Sequence, residues 1–363
     1  MRWAGTRGTR AALLTLGAAV ALAGGRAAYA DGAVVAWGYN SAGQCNPPAA
    51  LASVTQIAGK GEHTIALKSD GTVACWGWNA YGQCDIPAGL ASVTQIAGGD
   101  YHTIALKSDG TVACWGDNSS GQCDTPAELA SVTQIAGGRL HTIALKSDGT
   151  VANWGANRNG QCNTPAGLAS VKQIAGGYYH TLALKSDGTV AGWGYNDFGQ
   201  CDAPAGLASV TQIAGGYQHT IALKSDGTVV CWGFNDFLQC NTPAGLASVT
   251  QIAAGVFHTI ALKSDGTVAC WGYNEFGQCS PPAGLASVTQ IAAGTYNTIA
   301  LFVPPSCEEQ LAAAQAVNAQ QAAEILLLNA RIAILQLGDL NEDGAVDGGD
   351  LATLLNSWGT GGK

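Results

Sequence analysis

Short apolar runs alternate with polar turns along most of this chain. In one representative stretch, an apolar run over 93–97 ends in Gly98-Gly99. Residues 102–107 alternate, with Ile104 and Leu106 on one side, and residues 111–115 alternate again. A loop over 116–121 then leads to Gln122-Cys123. Period-two alternation over so few residues signals half-buried strands. Ser108-Asp109-Gly110 is turn chemistry, with the glycine free to adopt positive φ. A three-residue turn pairs Ile104 with Cys114 and Leu106 with Val112, which collects the apolar side chains on one face.

The pattern repeats. Trp-Gly recurs at Trp37, Trp76, Trp115, Trp154, Trp193, Trp232 and Trp271, always 39 residues apart, and residues 31–303 are seven times 39. Three strands plus a short fourth at Gln122-Cys123 make one propeller blade, so the fold class is all-β, a closed seven-bladed β-propeller. The chain enters at a third strand (31–37) and leaves at a second (297–302). These half-blades complete one another only if the first and last repeats meet, which would remove both open sheet edges.

The repeat reads Ala-Gly-Gly-x-x-His-Thr-x-Ala-Leu-x-x-Asp-Gly-x-Val-x-x-Trp-Gly-x-Asn-x-x-Gly-Gln. It resembles the repeats of the regulator of chromosome condensation family across residues 31–303. The resemblance implies a seven-bladed propeller. That family's best-known member is a nucleotide exchange factor that also binds chromatin, roles that an acidic, exported chain without an inserted loop does not match. The short repeat is similar to a secreted bacterial type that includes a β-lactamase inhibitor, which implies binding of a protein through one propeller face.

Compared with each other, the repeats are nearly constant outside two loops. The first precedes the repeat His: Glu62; Asp100, Tyr101; Arg139, Leu140; Tyr178, Tyr179; Tyr217, Gln218; Val256, Phe257; Thr295, Tyr296. The second surrounds the Asn after Trp-Gly and carries Tyr39, Trp78, Tyr81, Asp117, Arg158, Tyr195, Asp197, Phe198, Phe234, Asp236, Phe237, Tyr273, Glu275 and Phe276. Strand order puts both loops on one side and the uniform Lys-Ser-Asp-Gly turn on the other. Rigid aromatics on loops above a stiff scaffold suit macromolecular recognition and could stack on sugars. The alternative is packing between blades. The predicted contact centre is Tyr178, Tyr179, Tyr195, Phe198, Tyr217, Phe234, Phe237, Phe257, Tyr273 and Phe276, facing an extracellular protein or carbohydrate.

Residues 1–30 read as a signal peptide. Arg2, Arg7 and Arg10 precede an apolar run over 11–24, and Ala28-Tyr29-Ala30 is a small-x-small cleavage site. Cleavage removes four arginines and no acid, taking the formal charge from −9 to −13. The expected product is secreted, extracellular or cell-surface, without a membrane span. So acidic a chain disfavours nucleic acid.

Seven of the 12 cysteines follow the repeat Gln (Cys45, Cys84, Cys123, Cys162, Cys201, Cys240, Cys279), and four precede the Trp (Cys75, Cys114, Cys231, Cys270). Three repeats lack the second series, so a uniform set of bridges is impossible. Most are expected to be small buried hydrophobes, Cys114 facing Ile104.

Six repeats carry a histidine (His63, His102, His141, His180, His219, His258) and the seventh Asn297. A metal ring would need convergence at the axis; the structural reading is a side chain bonding backbone within its own blade. Acids on the variable side (Asp100, Asp117, Asp197, Asp236, Glu275) would serve an enzyme only as one positioned pair, and no spacing singles one out. No catalytic residue is assigned. A purely structural envelope protein is the remaining alternative.

Ser306 with Glu309 forms a capping box opening a helix over 304–337. Leu311, Ala314, Asn318, Gln321, Ile325, Leu328, Ile332 and Leu335 keep a 3-4 spacing, which fits an oligomerising coiled coil or a helix packed on the propeller. Residues 338–363 then place oxygens at loop positions 1, 3, 5, 9 and 12, through Asp339, Asn341, Asp343, Asp347 and Asp350. Gly344 takes position 6 and the Ala345 carbonyl position 7, the arrangement of an EF-hand-like Ca2+ loop. It resembles the calcium loop of dockerin repeats, which implies surface attachment or assembly; dockerins carry two such loops and this chain has one.

Overall fold

A computed structural model of the chain describes residues 32–338; the expected signal peptide and the expected Ca2+ loop lie outside the described residues. Seven antiparallel sheets of three strands each follow the 39-residue repeat. In the second blade the strands are Val93–Gly98, His102–Lys107 and Val112–Gly116. The expected register holds, Ile104 opposite Cys114 and Leu106 opposite Val112. Gly110 turns the hairpin at φ 79°, where a side chain would strain the backbone. The seventh sheet combines both ends of the repeat region: Ala33–Gly38 pairs antiparallel with Asn297–Phe302, which pairs with Val288–Ala293.

The blades are bound edge-on through their innermost strands. Each inner-strand Gln sends its side-chain oxygen to the Ile N–H of the next blade, as Gln56 Oε1 does to Ile96 N at 2.9 Å and Gln95 Oε1 to Ile135 N at 2.9 Å. Gln290 of the last sheet reaches Ile57 N of the first at 2.8 Å. Apolar packing runs the same way. Trp115 of the second blade packs with Ile65, Leu67 and Val73 of the first, and Ile65 and Ile104 are fully buried. A full burial of this kind stabilises by about 1.5–3 kcal/mol per side chain.

The expected fourth strand does not form. Residues around Gln122-Cys123 are turns held by side chains: Cys123 N donates to Asn118 Oδ1 at 2.8 Å, and Asn118 Nδ2 donates to Asp124 Oδ1 at 2.7 Å. With Asn satisfying the backbone donors, no ladder is needed at the outer edge. The segment still serves the next blade, because Gln122 O accepts the Thr142 hydroxyl at 2.8 Å.

The cysteines correct the expectation of free, buried thiols. Four bridges join the third strand to the segment nine residues on: Cys75–Cys84, Cys114–Cys123, Cys231–Cys240 and Cys270–Cys279. Facing Ile104 does not preclude a bridge, since a strand residue has a neighbour on each side, and the Gln-Cys segment supplies the other one. Where the third-strand partner is Ala36, Asn153 or Gly192, the thiols of Cys45, Cys162 and Cys201 stay free and half-buried. Burial pushes them up to about 11, 11 and 12 respectively, which suppresses thiolate chemistry.

The helix Cys307–Gly338 opens on the expected capping box, with Glu309 N donating to Ser306 Oγ at 3.1 Å and Ser306 N to Glu309 Oε2 at 2.7 Å. Leu311, Ile325 and Leu328 on its seam are exposed. None of these positions packs against the propeller. Iodoacetamide applied to the native chain should leave Cys45, Cys162 and Cys201 unmodified. Intact mass should rise by two hydrogens for each of the four bridges on reduction; native labelling of Cys84 or Cys123 would show that the bridges are absent.

Candidate functional site

All ten residues of the predicted contact centre lie in loops at one end of the blades, and the structure brings their rings together. Tyr178 and Tyr217 rings are 4.3 Å apart, Tyr217 and Phe257 5.3 Å, Tyr179 and Tyr195 6.3 Å. The second-loop rings join the same network through Tyr195–Phe198, Phe198–Phe234, Phe234–Phe237, Phe237–Tyr273 and Tyr273–Phe276. It continues past Tyr296 and Phe276 to Tyr39. Tilted and edge-on contacts of this kind suit the ring quadrupole. Packing and exposure coexist: the rings touch across blade boundaries, yet Phe198 and Phe276 are each 43 % exposed and Phe237 38 %.

A second group, Trp78, Tyr81 and Tyr101, sits on the other side of the third blade. Arg139 bridges the two groups, its guanidinium carbon 5.9 Å from the Tyr101 ring centre, 4.7 Å from Tyr178 and 5.6 Å from Tyr179. Arg139 Nε also lies 3.9 Å from Asp100 Oδ2. First-loop backbones clasp one another from blade to blade: Asp100 N donates to Arg139 O, Arg139 N to Tyr178 O, and Thr295 N to Gly61 O. A pocket of about 340 Å³ opens in the middle of these loops, lined by residues from six of the blades.

Beneath it is a residue that the comparison of repeats overlooked. Lys60 stands where the other six repeats have the second glycine of their Gly-Gly or Ala-Gly pair. A Cβ on Gly99 would collide with the His102 ring, and one on Gly61 with the Asp100 backbone. The first blade therefore takes its glycine one residue later. The freed lysine crosses the middle of the propeller, donating to Gly176 O and, at 3.0 Å, to Gly215 O. Burial pulls the Lys60 ammonium down to about 8, against the pull of Asp100. Burial pushes the Asp100 carboxyl up to about 7, opposed by Lys60 and Arg139. The break in an otherwise uniform glycine column was the signal in the sequence.

The histidines are structural, but by another bond than expected. Their Nε2 atoms meet the Thr hydroxyl of the next blade, His63 with Thr103 at 3.0 Å and His102 with Thr142 at 3.0 Å. Each such Thr gives its proton to a Gln carbonyl, as Thr103 does to Gln83 O at 2.8 Å, so the histidine must donate from Nε2. Among the described residues no group of three or more His, Cys, Asp or Glu could hold a metal. Two of the acids are engaged locally: Asp117 accepts from Ser119 and Gln122, and Glu275 from Tyr273.

Burial lowers the His63 and His258 rings to about 4, and His102, His141 and His219 to about 3. Neutral in the fold, these groups protonate in the unfolded chain near 6.5. Their stabilisation is complete above that pH and is lost as pH falls through 6.5 toward about 3, a range in which the unfolded state binds more protons. Thermal midpoints should drop steeply over that window. His102→Asn, copying the seventh blade, should flatten the slope; an unchanged slope would mean that the rings are already charged in the fold.

A sequence profile described as Regulator of chromosome condensation (RCC1) repeat matches residues 54–83, 93–122, 132–161, 171–200, 210–239 and 249–278. No curated protein sequence matches the chain. Among solved structures, Prp20p from Saccharomyces cerevisiae aligns with TM-score 0.66 at 20 % identity, over 80 % of this chain and 95 % of that one. Human WBSCR16 aligns with TM-score 0.61 at 19 % identity, over 75 % and 99 %. The ectodomain of the Physcomitrella patens receptor kinase CR4 aligns with TM-score 0.56 at 25 % identity, over 69 % of each chain. With six of its seven repeats matched and its sheets superposing on these propellers, the chain belongs to the regulator of chromosome condensation repeat family.

Proposed function

We propose that the chain is an exported binding protein: a closed seven-bladed propeller that recognises an extracellular protein or glycan through its aromatic loop face, and is displayed or assembled through its C-terminal region. The observation that carries this reading is the continuous set of half-exposed rings around one central pocket. Rings that already hold one another lose little conformational freedom when a partner covers them. The four disulfides support an oxidising compartment. The bonds from Gln290 to Ile57 and from Thr295 to Gly61 support closure. Prp20p is described as binding Gsp1p and histones; a likeness of fold does not carry those partners to an acidic chain.

The readings as an enzyme or a purely structural envelope protein have weaker support. Asp117 and Glu275 are committed to neighbours, no positioned acid–base pair stands out, and a structural role alone gives no reason for exposed rings on one side.

Partner capture on a glycan array, and from the proteins secreted by the source cells, tests the face directly. Tyr217→Ala with Tyr273→Ala should weaken capture at least about thirtyfold, the loss of one hot spot of about 2 kcal/mol. The melting temperature should hold. Undiminished capture would remove the face from recognition.

For residues 338–363 we propose one bound Ca2+ held by Asp339, Asn341, Asp343, the Ala345 carbonyl, Asp347 and Asp350. Calorimetric titration of the full chain with calcium should give a single site that Asp339→Ala abolishes. Equal heat from the variant would refute the assignment.

A further inference from the structure

The pocket at the centre of the aromatic face has a chemistry of its own. Its walls include Trp78, Tyr101, Tyr178, Tyr217, Phe257 and Tyr296, and its only charged lining groups are two carboxylates, Glu62 and Asp100. Asp100 is 4 % exposed, and its Oδ1 has no hydrogen-bond partner. An unpaired buried carboxylate oxygen is costly, and a donor aimed at it would recover that cost. Glu62 is half-buried and has no ion-pair partner among the described residues.

The cations nearby are already engaged. Lys60 is held by Gly176 O and Gly215 O, and Arg139 is stacked on Tyr101, Tyr178 and Tyr179. Arg139 also shows, within the fold, that these rings and Asp100 together suit a guanidinium. Across both variable loops, six carboxylates (Glu62, Asp100, Asp117, Asp197, Asp236, Glu275) stand against Lys60, Arg139 and Arg158. The field at the pocket mouth therefore favours positive charge.

We infer that this pocket binds an organic cation, a guanidinium or alkylammonium group, held by the aromatic walls and bonded to Glu62 and Asp100. Ring faces attract such a charge by about 0.5–2 kcal/mol, and 340 Å³ lies within the range of ordinary small-ligand sites, about 300–1,000 Å³. A neutral sugar would leave Glu62 without a counter-charge and Asp100 Oδ1 without a charged donor, and an anion would meet both carboxylates directly. The inference rests on the aromatic face being the recognition surface and names what its centre reads. The cation comes either from a basic side chain of a protein partner or from a free small amine.

Saturation-transfer NMR and calorimetry on the full chain would compare N-acetyl-arginine amide with N-acetyl-citrulline amide, alike in shape and different in charge. The arginine amide should bind at least about tenfold more tightly, the equivalent of about 1.4 kcal/mol. Glu62→Gln should shrink that difference without changing the melting temperature. Phe198→Ala, outside the pocket, should leave it intact. Equal binding of the two amides, no saturation by either up to ~50 mM (weaker than any cation site of this kind), or tighter binding of N-acetyl-glutamate amide would each overturn the inference.

Two further probes separate the sources. Tighter binding of the peptide Gly-Ser-Arg-Ser-Gly than of the free amide assigns the pocket to a partner's side chain. Tighter binding of tetramethylammonium, with the peptide excluded, assigns it to a free cation. If the amides fail while Tyr217→Ala with Tyr273→Ala still weakens capture, the pocket proposal falls and the face stands. Saturable cation binding with capture unaffected by that double substitution would mean the reverse.

Discussion

One hydrogen bond, repeated, organises this molecule: the side-chain oxygen of an inner-strand glutamine accepts from the isoleucine N–H of the next blade. Gln56 does so from Ile96, and Gln290 from Ile57, joining the last sheet to the first. A three-stranded sheet of five- and six-residue strands is too small to be stable alone. Each blade must bury its faces against its neighbours while leaving no inner-edge donor unpaired. Glutamine supplies the acceptor, the Trp-Gly tryptophan and the buried isoleucines supply the packing, and the His–Thr–Gln chain repeats the connection further along. Each of these contacts recurs, between the same residue types, one repeat further along. A change in one blade has to suit two neighbours, which holds those columns uniform.

That uniformity is what made the fold legible. The 39-residue period and the alternation gave the blades, the strand register and the composite seventh sheet, because each depends on contacts that recur. The errors came where the outer edge of the blade is finished by side chains. Asn118 takes the Cys123 N–H and tight turns take those of Asp124 and Thr125, donors that a fourth strand would have paired, and nothing in the alternation distinguishes the two solutions. The absence of the second cysteine from three repeats excludes a uniform set of bridges but not bridges in the other four. Every cysteine preceding a Trp has another nine residues on, and the repeats without it carry Ala36, Asn153 or Gly192 instead.

The candidate site was legible to a smaller degree, for a related reason. Rings gathered in two loops could be counted in the sequence and assigned to one side from strand order alone. How far they would bury one another could not, because their contacts run between blades and join residues about forty positions apart. Lys60 is the sharper case. Its departure from a glycine column is plain in the sequence, but its destination on blades four and five depends on how the inner strands of separate blades are arranged.

Such exceptions are where a repeat protein can acquire a unique function. Catalysis or selective binding needs groups that differ from one another, and a symmetric assembly offers seven equal environments until something breaks the equality. Here the break is local and connected. The displaced glycine frees Lys60; Lys60 and Arg139 offset the Asp100 charge in a buried place; and Arg139 joins two groups of rings into one surface. The conformational cost of fixing those aromatics has been met within the fold, by contacts the rings make with each other and with Arg139. On the proposed reading, what would remain for a ligand is to desolvate a surface that is already arranged, which would let half-exposed rings on a stiff support contribute to selectivity.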